Sequence, residues 1–391
     1  MNVLVFIIAG LILLAVYGGA AFYVGKRLYR WLAAIFPKTN AKVFAVVFTI
    51  LMTLVIMAHM PIHVTVRYIM RTAAGYWTGI FVYLFMLFVV ADVVLAIGRL
   101  CKLTPVHMRD KVRFYAGTAV IVLTAIVVGW GIYNARQLSI VTYEVELQRS
   151  VDGEMNIVFI SDLHLGEVRS ESGLERMVEY INSLNPDIVC LIGDIFNDDF
   201  YAIRNPERAA EVLRGIDATF GVFACLGNHD AGRTIGSMIN FLEQSNIRLL
   251  NEEYAIIDDR LVLIGRFDEH LTRINALDGV ARGEFSDIMD VVHADLLQRS
   301  LSLDLPIVVI DHNPTHISEY GSDVDLALFG HTHGGALFPA TLVTRALFVI
   351  DRGHFQQDSY SPHIIVTQGV STWLMPVRVG SRNEIASVIV R

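Results

Sequence analysis

Leu326-Ala327-Leu328-Phe329-Gly330-His331-Thr332-His333-Gly334-Gly335 joins four apolar residues to two imidazoles held among glycines. The apolar run has the length of a fully buried strand. The histidines stand two apart, and the glycines keep bulk away from them. One such block is explained well enough as a structural pair, but four others upstream repeat its logic. Apolar run 157–160 is followed by Ser161-Asp162-Leu163-His164, run 188–192 by Gly193-Asp194, run 222–226 by Gly227-Asn228-His229-Asp230, and run 307–310 by Asp311-His312-Asn313-Pro314. Ligands in open α/β sheets bind beyond the carboxyl ends of strands. Five strand ends that each carry a potential metal ligand therefore predict one joint metal site. If the chain stays extended at 162–164, period-2 spacing points Asp162 and His164 the same way. Five unrelated turns would explain any single block but not the ordered set, which holds five of the thirteen histidines and three oxygen ligands. Carboxylate, amide and imidazole donors without thiolate suit manganese, iron or zinc better than calcium.

Around these blocks the chain from residue 140 reads as an α/β domain of short β-rich runs separated by amphipathic helices. Runs 141–147 and 156–160 are candidate strands joined through the Asp152-Gly153 turn, and run 261–264 is a further one. Ser172 and Glu175 have capping-box spacing, and Leu174, Met177, Val178, Ile181 and Leu184 recur at helical period, which predicts a core-facing helix.

Asp162-x-His164, Gly193-Asp194, Gly227-Asn228-His229, His312 and Gly330-His331-x-His333 resemble the five-block signature of calcineurin-like metallophosphoesterases, over about residues 140–391. The fuller strings, with the C-terminal run 385–390, are most similar to a bacterial branch that includes membrane-anchored phosphohydrolases and UDP-diacylglucosamine pyrophosphatases. The resemblance implies a four-layer αββα sandwich and a site for two divalent metal ions, manganese before iron or zinc. It implies Asp194 as the bridge, Asp162, His164 and His333 on one metal, and Asn228, His312 and His331 on the other. Its implied catalytic residues are His229, as general acid, with Asp194 and Asn228. Two such cations can hold a hydroxide for in-line attack, so no covalent phosphoenzyme is needed. Many relatives read Gly-Asp-x-x-Asp-Arg, whereas Gly193-Asp194 is followed by Asn197 and Asp198. The missing arginine argues against a Ser/Thr protein phosphatase, and the missing carboxylate leaves Asp198 or Asp230 to orient His229.

The first part of the chain is of another kind. Of 391 residues 54% are apolar and 18% charged, and the first 136 hold 13 Lys and Arg against 2 Asp and Glu, while the remainder holds 18 against 37. The parts thus carry +11 and −19. A lysine-free acidic region with scattered arginines excludes nucleic acid as a partner. Apolar stretches 3–24, 43–62, 76–98 and 115–133 each approach the ~20 residues that cross a hydrocarbon core. They predict a transmembrane domain of four helices over residues 1–136, followed by the phosphoesterase domain at 137–391. No Lys or Arg precedes the first stretch, which argues against a cleaved signal peptide. Lys26, Arg27, Arg30, Lys38 and Lys42 follow the first stretch, and Arg99, Lys102, Arg109, Lys111 and Arg113 the third, against only Arg67 and Arg71 after the second. By the positive-inside rule the two basic loops are cytoplasmic and the large domain extracytoplasmic. Asp92, inside the third stretch, is expected to reach the interface or a basic partner rather than to serve transport. Cys101, Cys190 and Cys225 are too few for a disulfide framework, and the last two read as core thiols.

These features lead to a membrane-anchored phosphoesterase acting on a lipid-linked or cell-envelope substrate. The alternatives are a tethered phosphodiesterase for soluble nucleotides and a non-catalytic sensor of metal or phosphate; the completeness of the five blocks disfavours the sensor. Between residues 267 and 305, apolar residues interspersed with Arg273, Arg282 and Arg299 would suit a cap for acyl chains and a head-group phosphate, or an ordinary helix packed on the sheet.

Overall fold

The computed structural model describes residues 3–58, 60, 63–103, 109–166, 171–274 and 276–391. The chain separates into two compact units, Met1–Ile132 and Tyr133–Arg391.

The first unit is built from α1 (Val3–Ile35), α2 (Ala41–Met57), α3 (Val64–Leu100) and α4 (Arg109–Arg136), the last of which runs on into the second unit. Three of these contain segments long and apolar enough to cross a membrane, at Ile8–Ile35, Thr65–Leu100 and Asp110–Arg136, while α2 is an apolar helix of 17 residues. Val24, Met52, Phe81, Leu84, Phe88 and Val120 pack together inside the bundle. Most large apolar side chains, such as Leu13, Val46, Val94 and Ile126, point outward. Apolar residues all round a helix are what a hydrocarbon solvent selects. α1 continues past the expected apolar stretch, so Lys26, Arg27 and Arg30 lie on its last turns rather than in a loop. There Arg27 pairs with Asp92, which also accepts a 2.6 Å hydrogen bond from the Tyr23 hydroxyl. Asp92 thus has the basic partner expected of it.

The second unit contains two six-stranded sheets. The strands are β1 (Leu138–Val145), β2 (Met155–Ile160), β3 (Ile188–Ile192), β4 (Val222–Cys225), β5 (Ile247–Leu249), β6 (Glu253–Ile257), β7 (Leu261–Gly265), β8 (Ile307–Ile310), β9 (Leu326–Phe329), β10 (Gly353–Phe355), β11 (His363–Val366) and β12 (Asn383–Val390). One sheet has the order β1-β12-β2-β3-β4-β5, the other β10-β11-β9-β8-β7-β6. The Asp152-Gly153 turn does not make neighbours of β1 and β2. β12 lies between them, parallel to β1 with Val141 opposite Ala386, and antiparallel to β2 with Ala386 opposite Phe159.

Alternate residues of β2 enter different cores, as strand geometry requires. Ile157 and Phe159 join Leu263, Val308, Ile310 and Leu328 of the other sheet. Val158 and Ile160 meet α5 (Glu171–Ser183), α6 (Pro206–Leu213) and α7 (Ile235–Gln244). Val262, Val309 and Phe329 pack on α9 (Phe285–Gln298). Burial on both faces explains why these strands read as unbroken apolar runs. α5 buries Leu174, Met177, Val178 and Ile181 as expected, while the Ser172 side chain on which the capping box depends lies outside what the structure describes. Cys190 and Cys225 are buried and free.

The segment 267–305 is not a cap. Leu271, on the short helix α8 (Glu269–Arg273), is wholly buried, and Ile288, Met289, Val292 and Leu296 of α9 face the sheet. Its guanidinium groups are taken: Arg273 by Glu269, Arg299 by Asp295, and Arg282 by Asp311 at 2.8 Å and Glu319 at 2.7 Å. Amphipathic spacing has the same signature whether the apolar face meets a sheet or a lipid, and here it meets the sheet.

Candidate metal centre

β2, β3 and β4 run parallel in one sheet and β8, β9 and β11 in the other, and their carboxyl ends bring all five blocks together. The loops are laced by backbone hydrogen bonds. Asp162 N–H donates to Gly193 O at 3.1 Å, His164 N–H to Asp194 O at 3.0 Å, and Gly330 N–H to His312 O at 3.0 Å.

Two groups of ligand-type side chains result, Asp162 with His164 and His333, and Asp194 with His312 and His331. In the first, His333 Nε2 lies 3.3 Å from Asp162 Oδ1 and 3.3 Å from His164 Nε2. In the second, His312 Nε2 lies 3.3 Å from Asp194 Oδ2 and 3.3 Å from His331 Nδ1. The same Asp194 Oδ2 is 3.8 Å from His164 Nε2, so this oxygen faces both groups. Asp194 Oδ1 is held by the His229 amide at 2.7 Å. Asn228 presents a buried Oδ1 that accepts no hydrogen bond, and Asp162 Oδ1 is likewise buried without a donor. Orphaned oxygens in a polar site require an explanation. Hard or borderline divalent cations coordinated by carboxylate, amide and imidazole supply one, and the donor set fits them.

The neighbours orient these groups. His312 Nδ1–H donates to Ile192 O at 2.9 Å, which leaves Nε2 as the free lone pair. Asp162 Oδ2 accepts from the Ser161 hydroxyl and from His331 N–H at 3.1 Å. Gly193 has φ +66°, and a Cβ there would stand 2.5 Å from His312 Nδ1. The ligand loops are not extended. Asp162 (φ 55°), His164 (48°), Asp194 (50°), His331 (71°) and His333 (49°) are all left-handed. Asp162 and His164 therefore converge through two left-handed residues and not through strand alternation. Such conformations cost roughly 1–3 kcal/mol each and are kept where a site demands them.

Charge follows the same plan. Burial opposes ionisation of Asp194, but the imidazoles of His312, His164 and His229 outweigh it and hold the carboxyl well below the usual range. Asp162 is lowered too, burial being overcome chiefly by His333 and His312. Burial pushes His333 down to about 3 against the pull of Asp162, and it also lowers His164 and His331. Ionised carboxylates beside neutral imidazoles are the protonation states that bind cations. His312 is raised, because Asp194 outweighs its burial, so a cation there competes with a proton.

His229 Nδ1 lies 3.1 Å and 3.2 Å from the two oxygens of Asp198. Burial lowers its pKa, but the Asp198 hydrogen bond and the charges of Asp194 and Asp198 raise it on balance. Asp198 is thus the carboxylate at the ring. Asp230 is buried and accepts the amides of Phe196 at 2.7 Å and Gly227 at 2.8 Å, bracing the loops.

Four residues near the site carry no signal in the five blocks. Arg378, fully buried, donates to His333 O at 2.7 Å and Gln368 O at 2.8 Å, and lies 3.1 Å from His333 Nδ1. A Cβ on Gly369 would stand 2.8 Å from Asp162 Cβ. Trp373 lies 5.1 Å, ring to ring, from His229, and Phe348 lies 6.3 Å from His331. An arginine within the apolar Val377-Arg378-Val379 stretch was the one available hint.

Residues 155–335 match the calcineurin-like phosphoesterase family. The match lies within the second unit and identifies a calcineurin-like metallophosphoesterase domain in this part of the chain. Among its relatives, a zebrafish transmembrane protein with metallophosphoesterase domain is 28% identical over 286 residues, 69% of this chain and 62% of that longer protein. A metallophosphoesterase of Aquifex aeolicus is 29% identical over 258 residues, 65% of this chain and 92% of the relative. The UDP-2,3-diacylglucosamine pyrophosphatase LpxG of Chlamydia trachomatis is 27% identical over 265 residues, 56% of this chain and 78% of LpxG.

Proposed function

We propose that this protein is a membrane-anchored, dinuclear-metal phosphoesterase acting on a lipid-linked or cell-envelope phosphomonoester, phosphodiester or pyrophosphate. Residues 1–136 form its four-helix anchor and 137–391 its catalytic domain, for which the three hydrophobic cores support a four-layer αββα arrangement. The observation that carries the reading is Asp194 Oδ2, 3.3 Å from His312 Nε2 and 3.8 Å from His164 Nε2, a carboxylate oxygen common to both ligand groups.

Asp162, His164, Asp194 and His333 would hold one divalent cation, and Asn228, His312, His331 and Asp194 the other, with manganese the expected metal. Bound there, the pair would supply a water of lowered pKa and charge compensation for the phosphoryl oxygens. The chain's own residues do the rest. His229, kept protonated by Asp198, donates a proton to the leaving oxygen. Arg378 and the Ile192 carbonyl fix the rings of His333 and His312. The ten Lys and Arg of the two basic segments, against two in the intervening one, support an extracytoplasmic catalytic domain. The similarity to the chlamydial UDP-2,3-diacylglucosamine pyrophosphatase supports a diacylated substrate over a soluble nucleotide.

The test is phosphate release by detergent-purified full-length protein with added manganese, against aryl phosphoesters, phospholipids, isoprenoid phosphates and nucleotides. Turnover is expected in the wild type and lost in Asp194→Asn. Unchanged turnover in folded Asp194→Asn protein would refute the two-metal reading.

A further inference from the structure

From residue 336 to 350 the chain reads Ala-Leu-Phe-Pro-Ala-Thr-Leu-Val-Thr-Arg-Ala-Leu-Phe-Val-Ile, with Arg345 its only charge. It contains α10 (Ala340–Leu347), which turns Thr341 inward and Leu342, Val343 and Leu347 outward. Phe338 and Val349 extend the exposed strip, and Leu347 and Val349 are 73% and 72% accessible. A contiguous apolar surface on an otherwise acidic domain marks an interaction site. Two features specify what it meets.

The strip borders the metal centre through Phe348, whose ring lies 6.3 Å from that of His331. It also borders the place where the chain enters this domain from α4. Asn134 donates from Nδ2 to Arg378 O at 3.0 Å and Ser381 O at 2.7 Å, and Asn383 Nδ2 donates to Ala135 O at 2.6 Å. That same loop packs under α10: Phe338 N–H donates to Val379 O at 2.7 Å and Val379 N–H to Ala336 O at 3.0 Å. Arg378 of this loop reaches His333. One loop, 378–383, thus ties together Asn134 and Ala135 at the start of this unit, the root of the apolar strip and a candidate ligand. An apolar strip next to a membrane exit, with an arginine whose stem can lie along it and whose head can reach phosphates, suits the interface of a bilayer.

We propose that α10 and its flanks dip into the bilayer and hold the metal centre at the membrane surface, where it takes phosphoesters borne by lipids still anchored in that bilayer. This deepens the phosphoesterase reading and rests on it, and on the helices spanning a membrane. It assigns to α10 the lipid contact that segment 267–305, packed on the sheet, does not make.

The test uses the full chain with Cys101→Ser, in nanodiscs of phosphatidylcholine containing a nitroxide-labelled acyl chain. An environment-sensitive fluorophore is placed on Leu347→Cys, on Val94→Cys of α3, or on Glu243→Cys of α7. All three residues are exposed, so the fold is not perturbed. Quenching at Leu347 comparable to that at Val94 and several-fold above that at Glu243 is the expected result. Quenching at Val94 with none at Leu347 overturns the docking, and a blue-shifted but unquenched Leu347 probe would mean that protein, such as a second copy, covers the strip instead. No quenching at Val94 would remove the membrane reading and the proposal with it. Failure of the phosphoesterase reading shows separately, as absent turnover with quenching intact.

Discussion

Gly193→Ala isolates the demand that the metal centre makes on the backbone. A Cβ at this position would lie 2.5 Å from His312 Nδ1, 2.6 Å from His312 Cγ and 2.7 Å from Gly227 N, at a φ of +66°. A left-handed alanine costs roughly 1–2 kcal/mol, and forcing a methyl into a filled site adds about 1–3 kcal/mol. The domain should lose about 2–5 kcal/mol in all. Gly279→Ala is the control, because it carries φ +79° with nothing within 4 Å of the added carbon. Its loss should stop at the backbone component. The clash falls on His312, so Gly193→Ala should also bind less metal at the group of Asp194, His312 and His331 and retain the group of Asp162, His164 and His333. Thermal unfolding in detergent and metal content by mass spectrometry measure both effects. Equal unfolding temperatures for the two variants, with full metal content in Gly193→Ala, would refute the packing described for the centre.

Other perturbations test other parts. The general-acid role proposed for His229 requires its protonated form, so under that proposal turnover falls as pH rises through its raised pKa. Asp198→Asn removes the hydrogen bond that helps raise it, so the alkaline limb of the kcat profile should move to lower pH and turnover should fall more at pH 8 than at pH 6. An unmoved limb would remove Asp198 from this role. Arg282→Met leaves Asp311, fully buried, without its guanidinium partner. Breaking such a pair costs roughly 3–5 kcal/mol, read as a lowered unfolding temperature; a loss below ~1 kcal/mol would show that Tyr320, which also donates to Asp311, suffices.

The parts of this protein that were legible in its sequence are those that local pattern encodes. Strands buried on both faces, such as β3 and β9, declare themselves as apolar runs, and the polar residues that end them mark where ligands gather. What pattern could not carry was long-range or conformational. β12 inserts between β1 and β2 from more than 200 residues away, and Asp152-Gly153 says nothing of it. The left-handed φ of Asp162 and His164 is fixed by the loops packed around them; Asp and His tolerate that region better than most residues, but their type alone does not dictate it. Asp230 adjoins His229 in sequence and Asp198 stands 31 residues before it, yet the folded loops put Asp198 at the ring and turn Asp230 onto backbone amides. Arg378 and Gly369 come from a tail whose contacts with the centre exist only once both sheets have formed.

The central claim is a pair of cations sharing Asp194, and anomalous diffraction from manganese-loaded protein tests it most directly. The account predicts two peaks separated by about 3.5–4 Å, one against Asp162, His164 and His333, the other against Asn228, His312 and His331, with the Asp194 carboxylate between them. A single peak, or two peaks that Asp194 does not join, would contradict it.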